Sequence, residues 1–407
     1  MKLLLTNHLL TCADETVVLQ NEPMAVLIDG ETICKTGPME LFFDQLQDET
    51  VEKIDLRNEY VMPGMIDAHL HLSFSATVQP LNELYDDTDE EILLRMVNAI
   101  QTELKSGVTT VRDSGARGMS ILKLRDFIRN DVVVGADIIS AGMPITTTGG
   151  HCNFCGLECD TKEEVQKAVR MLCKENVDYI KVMVSGGNMT PGSSATITQY
   201  NEETLRIVVE EAHAHGKKVS GHVHTVESIH NAIAAGFDTL EHCSFKLPDG
   251  GEKYDCDLVD KMIEKGTAIN PAMGKAYILP AELAAPLPDK VAMWEAFQNS
   301  RFSTTAAMYQ AGVPVIAGTD AGCKNTKFDE FYLTMNLLHE KVGLSKEDAI
   351  LAATSRCARI LGYDQTLGSI KAGKQADIIA LESNPLEDLK NLQKVCFVMK
   401  RGKKVAL

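Results

Sequence analysis

Two imidazoles one residue apart, His69 and His71, close the apolar run Tyr60-Val-Met-Pro-Gly-Met-Ile-Asp-Ala-His-Leu-His-Leu72. Side chains at i and i+2 of a strand share a face, so both rings can reach one metal ion. Four more potential ligands stand at the carboxyl ends of later strand-like runs. They are Lys181 in Tyr179-Ile-Lys-Val-Met-Val-Ser-Gly-Gly187, His222 in Val219-Ser-Gly-His-Val-His224, His242 in Thr239-Leu-Glu-His-Cys243, and Asp320 in Val315-Ile-Ala-Gly-Thr-Asp-Ala-Gly322. A lone histidine at a strand end is more often a hydrogen-bonded structural residue than a ligand. Six donors at the ends of five strand-like runs instead describe a metal site at the top of a barrel.

The elements that must position these donors alternate. Eight short apolar runs read as strands: Tyr60 to Ile66, Gly107 to Arg112, Asp137 to Ala141, Tyr179 to Val184, Lys218 to His222, Thr239 to His242, Thr267 to Asn270 and Val313 to Gly318. The stretches between them show helical spacing and start signals. Thr161 with Glu164, and Ser345 with Asp348, each predict a capping box. Strand–helix alternation predicts an α/β architecture, a (β/α)8 TIM-like barrel over residues 59–364. Residues 1–58 and 365–407 lack long helical faces and carry strand-like pieces such as Ala25 to Ile28 and Ala376 to Ala380, so the two termini are expected to pair as a small β-sandwich-like domain.

Composition narrows the function classes. The chain of 407 residues is 44% hydrophobic, enough for a full core. Its 57 acidic against 40 basic side chains give a formal charge of -17, which repels phosphate backbones and anionic membrane surfaces. Neither nucleic acid nor membrane is an expected partner; a small-molecule substrate is, and self-association is left open. The opening Met-Lys-Leu-Leu-Leu-Thr-Asn-His reads as a strand rather than a secretion signal, because Asn7 and His8 interrupt the apolar run. Eleven scattered cysteines, an odd number, argue for a reducing compartment, and a cytoplasmic location is expected. His151, Cys152, Cys155 and Cys159 have a spacing compatible with a structural zinc, but no second C-x-x-C completes the set, and loop packing is the expected role of the cysteines.

With these residues assembled, the chain resembles the metal-dependent amidohydrolase superfamily over almost its full length. The resemblance rests on the Pro63-Gly-Met-Ile-Asp-Ala-His-Leu-His71 opening, Lys181, His222, His242, Asp320 and the tail Gly368-Ser-Ile-Lys-Ala-Gly-Lys-Gln-Ala-Asp377. The phrases Gly149-Gly-His151, Ile180-Lys-Val182 and Gly236-Phe-Asp-Thr-Leu-Glu-His242 are most similar to the branch of Xaa-Pro and Xaa-Arg dipeptidases and imidazolonepropionase-like proteins. The resemblance implies two divalent metal ions, zinc in most relatives. His69, His71 and Asp320 would hold one, His222 and His242 the other, and Lys181, carboxylated by CO2 or bicarbonate, would bridge them. Imidazolonepropionase itself typically uses one metal and lacks the bridging lysine, so Lys181 points to a binuclear hydrolase.

The implied activity is hydrolysis of a C-N amide bond by metal-activated hydroxide, in a dipeptide (Xaa-Pro or related) or an N-acyl amino acid. A cyclic-amide hydrolase or a deaminase is the alternative, and a non-catalytic scaffold is disfavoured by the completeness of the ligand set. Asp320 would also carry the proton from water to the leaving amine. His224, at strand spacing from His222, and His151, after the third strand, are candidate hydrogen-bond donors to the developing oxyanion. Arg112 and Asp113 either face the substrate or form a buried ion pair; the ion pair is favoured. Lys246, Lys275 and Lys324 are possible partners for a substrate carboxylate, whereas Asp249 and Glu252 would suit a basic side chain.

Overall fold

The computed structural model describes residues 1–274 and 288–407, the side chains of 288–291 and 293 excepted. Met65–Leu70, Val108–Asp113 and Asp137–Ser140 form a three-stranded parallel sheet. Ile180–Met183, Val219–Thr225, Thr239–Lys246 and Ala268–Asn270 form most of a six-stranded one, extended by the short pieces Ile145–Thr146 and Leu157–Glu158. Seven of the eight expected runs are therefore strands, though the first begins later than predicted: Gly64 divides it, and Tyr60–Pro63 joins a different sheet.

The eighth run departs from expectation. Val313 to Gly318 is no strand; Val315 makes a single parallel bridge to Ile269 and Ala321 one to Leu70. The cause is competition for amides. Ala317 N donates to Ala352 O at 2.9 Å and Ile66 N to Ala353 O at 2.8 Å, so helix-end carbonyls take bonds that a continuous ladder would need. The parallel strands thus lie in two sheets that do not close into one.

Helices cover these strands with their apolar faces. Asp89–Lys105 buries Ile92, Met96, Ala99, Ile100 and Leu104, the spacing of one helical face. Thr161 and Glu164 form the predicted capping box. The second predicted box is half made: Ser345 Oγ accepts the Asp348 amide at 3.0 Å, but the Asp348 carboxylate turns away to Tyr309 and Arg356.

The terminal regions form two mixed sheets, and the two ends of the chain pair in the second. One has the order Thr32–Pro38, Met24–Asp29, Lys2–Thr6, Glu52–Asp55; the other combines His8–Leu10 and Tyr60–Pro63 with Ile378–Leu381 and Val395–Lys400. Leu4, Val26, Ile28, Val61, Ile378 and Phe397 fill the space between them as a separate core. Lys400, 8% exposed, ties this region to the parallel strands through Asp137 and Asp377, each at 2.6 Å.

Candidate metal centre

His69 and His71 leave the strand Met65–Leu70 with their Nδ1 atoms already engaged. His69 Nδ1 lies 2.7 Å from Glu241 Oε2, and His71 Nδ1 donates to the Gly115 carbonyl at 3.0 Å. Those acceptors fix the protons on Nδ1 and leave both Nε2 atoms free to ligate. Asp320 Oδ1 stands 3.5 Å from each Nε2. Burial opposes the charge on Asp320, yet His69 and His71 hold its carboxyl below the usual carboxylate range.

Lys181, His222 and His242 complete the group from three neighbouring strands. The rings of His222 and His242 are 4.6 Å apart, and those of His69 and His242 5.4 Å. The donor atoms of His69, His242 and Asp320 lie within 4.8 Å of one another, as do those of His222, His224 and His242. His224, expected as an oxyanion donor, therefore also sits among the metal-type donors. Two buried nitrogens, Lys181 Nζ and His222 Nε2, have no hydrogen-bond partner. An orphaned buried donor or acceptor costs about 1–3 kcal/mol, so a cation accounts for both better than packing does. Burial pushes Lys181 down to about 8, against the pull of Glu241, which favours the neutral amine that can react with CO2. The donor set fits a divalent cation: histidine, carboxylate and a modifiable lysine, with second-sphere acceptors in place.

All six proposed ligands, together with His151 and His224, line one cavity of about 370 Å³. His224 Nδ1 is held by Ser244 Oγ at 2.8 Å, and His151 Nδ1 by Thr190 Oγ1 at 3.0 Å. The His151 ring fits beside His222, tilted at 4.4 Å, because position 187 is glycine; a Cβ there would lie 2.5 Å from the His151 imidazole. By contrast, His213 pairs with Asp238, His215 with the Glu211 carbonyl and His230 with Asn231, away from the cavity.

Glu241 was invisible as a functional residue in the sequence. Adjacent strand residues point to opposite faces, so Glu241 and His242 are not expected to serve one site. His242 adopts a left-handed φ of 69°, which breaks the alternation and brings both to the centre. Asp320, at φ 63°, is turned in the same way. Arg112 does form a buried ion pair, and its partner is Glu241, at 2.6 Å; Asp113 instead accepts the Leu72 and Gly115 amides. Arg301 is a second residue missed, because it reaches the cavity from the helix Pro288–Ala311 with no strand-end signal. Its guanidinium donates to the Pro271 carbonyl at 2.7 Å and the His242 carbonyl at 3.3 Å.

Of the lysines considered for a carboxylate, Lys324 lines the cavity, Lys246 pairs with Glu252 at 3.2 Å, and Lys275 lies outside the described residues. Cys152 and Cys155 pack with Met183, Cys152 and Met183 themselves lining the cavity, while Cys159 belongs to the main core. Among the described residues, no metal-type donor group contains any of these three cysteines.

Histidine and carboxylate donors gathered near the ends of parallel strands define an α/β protein with a site that could hold a metal ion. Residues 60–405 match the amidohydrolase family, and the chain belongs to it. It is 28% identical over 380 residues to ochratoxinase from Aspergillus niger, covering 84% of this chain and 75% of that protein. Imidazolonepropionase from Caulobacter vibrioides is 23% identical, with 81% of each chain covered. The solved structure of a Xaa-Pro dipeptidase with methionine bound in its active site superposes with a TM-score of 0.86 at 30% identity, covering 99% of both chains. The fold of these relatives is that of a TIM barrel with an added domain, and the chain is a hydrolase acting on carbon–nitrogen bonds. The family and the donor clusters together support metal-dependent amide hydrolysis. Among the described residues, no helix is long and apolar enough to cross a membrane.

Proposed function

We propose that this chain is a binuclear zinc-dependent amidohydrolase that cleaves a dipeptide or N-acyl amino acid with a free carboxylate. The observation that carries the proposal is the pair of buried, unpartnered nitrogens, Lys181 Nζ and His222 Nε2, facing the cavity that Asp320, His69 and His71 also line. In this reading His69, His71 and Asp320 hold one ion, His222 and His242 the other, and carboxylated Lys181 joins them. The likeness to a Xaa-Pro dipeptidase supports a dipeptide substrate. The seven parallel strands and the bridged run Val313 to Gly318 would then together act as a (β/α)8 barrel spanning 59–364, with residues 1–58 and 365–407 as its β domain. All eleven cysteines are free, which supports a reducing, cytoplasmic setting.

Divalent ions bound here would supply Lewis acidity, polarising the scissile carbonyl and lowering the pKa of water. The chain's own residues do the rest. Asp320, with 29% of its side chain exposed, reaches both water and substrate, and it would take the proton on attack and return it to the leaving amine. His224 and His151, each anchored through Nδ1, would present Nε2 to the developing oxyanion.

The test is hydrolysis of a dipeptide and N-acyl amino acid library by protein grown with zinc and bicarbonate, read as free amino acid release. Turnover confined to substrates sharing one C-terminal residue is the expected result. Silence across the library with two metals bound would move the substrate to a lactam, a cyclic amide or an amine lost as ammonia.

A further inference from the structure

One wall of the cavity is sulfur. Cys152, Cys323, Met183 and Met189 all face it, and nothing in the proposed chemistry uses them. Cys323 is set against a proposed ligand. Its Sγ lies 3.3 Å from Asp320 Oδ1 and 3.9 Å from Met189 Sδ. The intervening turn makes this possible: Gly322 has φ 92°, and a Cβ there would lie 2.2 Å from the His71 carbonyl oxygen. The chain doubles back so that the thiol rests over the carboxylate three residues earlier, with the Cys323 amide donating to the Asp320 carbonyl at 3.2 Å.

A thiol that merely fills space sits among aliphatic groups. This one stands in a donor group: the ligand atoms of His71, Asp320 and Cys323 lie within 4.8 Å of one another. In the same cavity Lys181 Nζ and His222 Nε2 are buried without partners, a second and independent sign that a cation belongs there.

We infer that Cys323 supplies a thiolate ligand to the cation held by His71 and Asp320, biasing that position toward thiophilic ions such as zinc and cadmium over manganese and magnesium. The inference rests on the metal-centre reading above. On coordination the S–H bond breaks, the sulfur electron pair goes to the cation and the proton leaves to solvent.

The experiment uses the full chain, stripped by chelator and reloaded with cobalt(II) in bicarbonate. Wild type is expected to bind cobalt and to show thiolate-to-cobalt charge-transfer absorbance in the near ultraviolet. Cys323→Ser should lose that band, whereas Cys152→Ser, which removes the other cavity thiol, should keep it. Cadmium NMR of the wild type supplies a reading that needs no variant, since a sulfur ligand moves the resonance downfield of an all-nitrogen-and-oxygen site. Cobalt bound without the band, a band that survives Cys323→Ser, or cadmium resonances only in the nitrogen-and-oxygen range would overturn the thiolate assignment alone. Failure of the wild type to bind cobalt at all would overturn the metal centre and this inference with it.

Discussion

Glu241 holds His69: its Oε2 lies 2.7 Å from the ring's Nδ1, while Oε1 takes Arg112 at 2.6 Å and Ser220 Oγ at 2.6 Å. Burial opposes its charge, but Arg112 and Lys181 keep the carboxyl well below the usual carboxylate range. Carboxylates of this kind orient a metal-binding imidazole and raise its basicity. Glu241→Gln keeps the shape but leaves the Arg112 guanidinium buried without a counter-charge. Metal affinity should fall about 10–100-fold, and stability by about 3–5 kcal/mol. Metal content after dialysis and denaturant unfolding of the stripped protein read the two effects separately; unchanged values in both would refute the role.

Lys400 is the corresponding tie outside the centre. Its ammonium bonds Asp137 Oδ2 on the parallel sheet and Asp377 Oδ2 beside the terminal strands, each at 2.6 Å. Removing one member of a buried ion cluster strands the others. Lys400→Met should cost about 3–5 kcal/mol. Urea unfolding of wild type and variant is the check, and a difference below the noise of the extrapolation would show that Arg401, paired with Asp137, and Gln375, which donates to both Asp137 and Asp377, satisfy the two carboxylates without it.

That His69, His71, His222 and Lys181 would meet in one cavity was legible in the sequence, because period-two alternation and strand-end position suffice to place them together. What escaped depended on backbone turns that alternation does not describe. Glu241 is unreadable until the positive φ of His242 is known, and Arg301 comes from a helix rather than a strand end. The eighth run, Val313 to Gly318, has strand-like composition, but the competing carbonyls of Ala352 and Ala353 arrive from about 35 residues further along the chain. The half-made cap at Ser345 fails for a similar reason: Tyr309, from another helix, and Arg356, just beyond the motif, capture the Asp348 carboxylate.

Asp113 gives a pH signature from outside the ligand set, although His69 nearby opposes part of the shift. Buried between the Leu72 and Gly115 amides, it is pushed up from 3.8 to about 6 by burial. A raised folded pKa means the native chain keeps a proton that the unfolded chain releases. Its contribution is therefore full below about pH 4 and is lost as pH rises through about 6. At about 1.4 kcal/mol per unit, the stability of stripped wild type relative to Asp113→Asn should fall by roughly 3 kcal/mol between pH 4 and pH 7. A flat difference across that window would mean that the two amides stabilise the carboxylate enough to cancel burial.

Lys181→Met removes the group that bicarbonate modifies. Wild type prepared without bicarbonate should bind less zinc and recover on its addition, whereas the variant should bind less under both conditions. Elemental analysis of zinc per chain decides, and equal loading of wild type with and without bicarbonate would rule out carboxylation.

His224 and His151 approach the cavity from different walls, His224 stacked 5.0 Å from His242 and His151 tilted 4.4 Å from His222. A group that donates a hydrogen bond to an oxyanion acts on the transition state more than on the bound substrate. His224→Ala and His151→Ala should each lower kcat by about 10²–10³-fold with little change in KM. Zinc per chain separates the alternatives for His224, because its ring nitrogens also lie among those of His222 and His242. If His224→Ala loses zinc along with kcat, the ring is a ligand rather than an oxyanion donor. If zinc is retained and kcat falls, the Ser244 hydrogen bond at 2.8 Å becomes its positioning contact. Ser244→Ala should then show a smaller loss of kcat in the same direction.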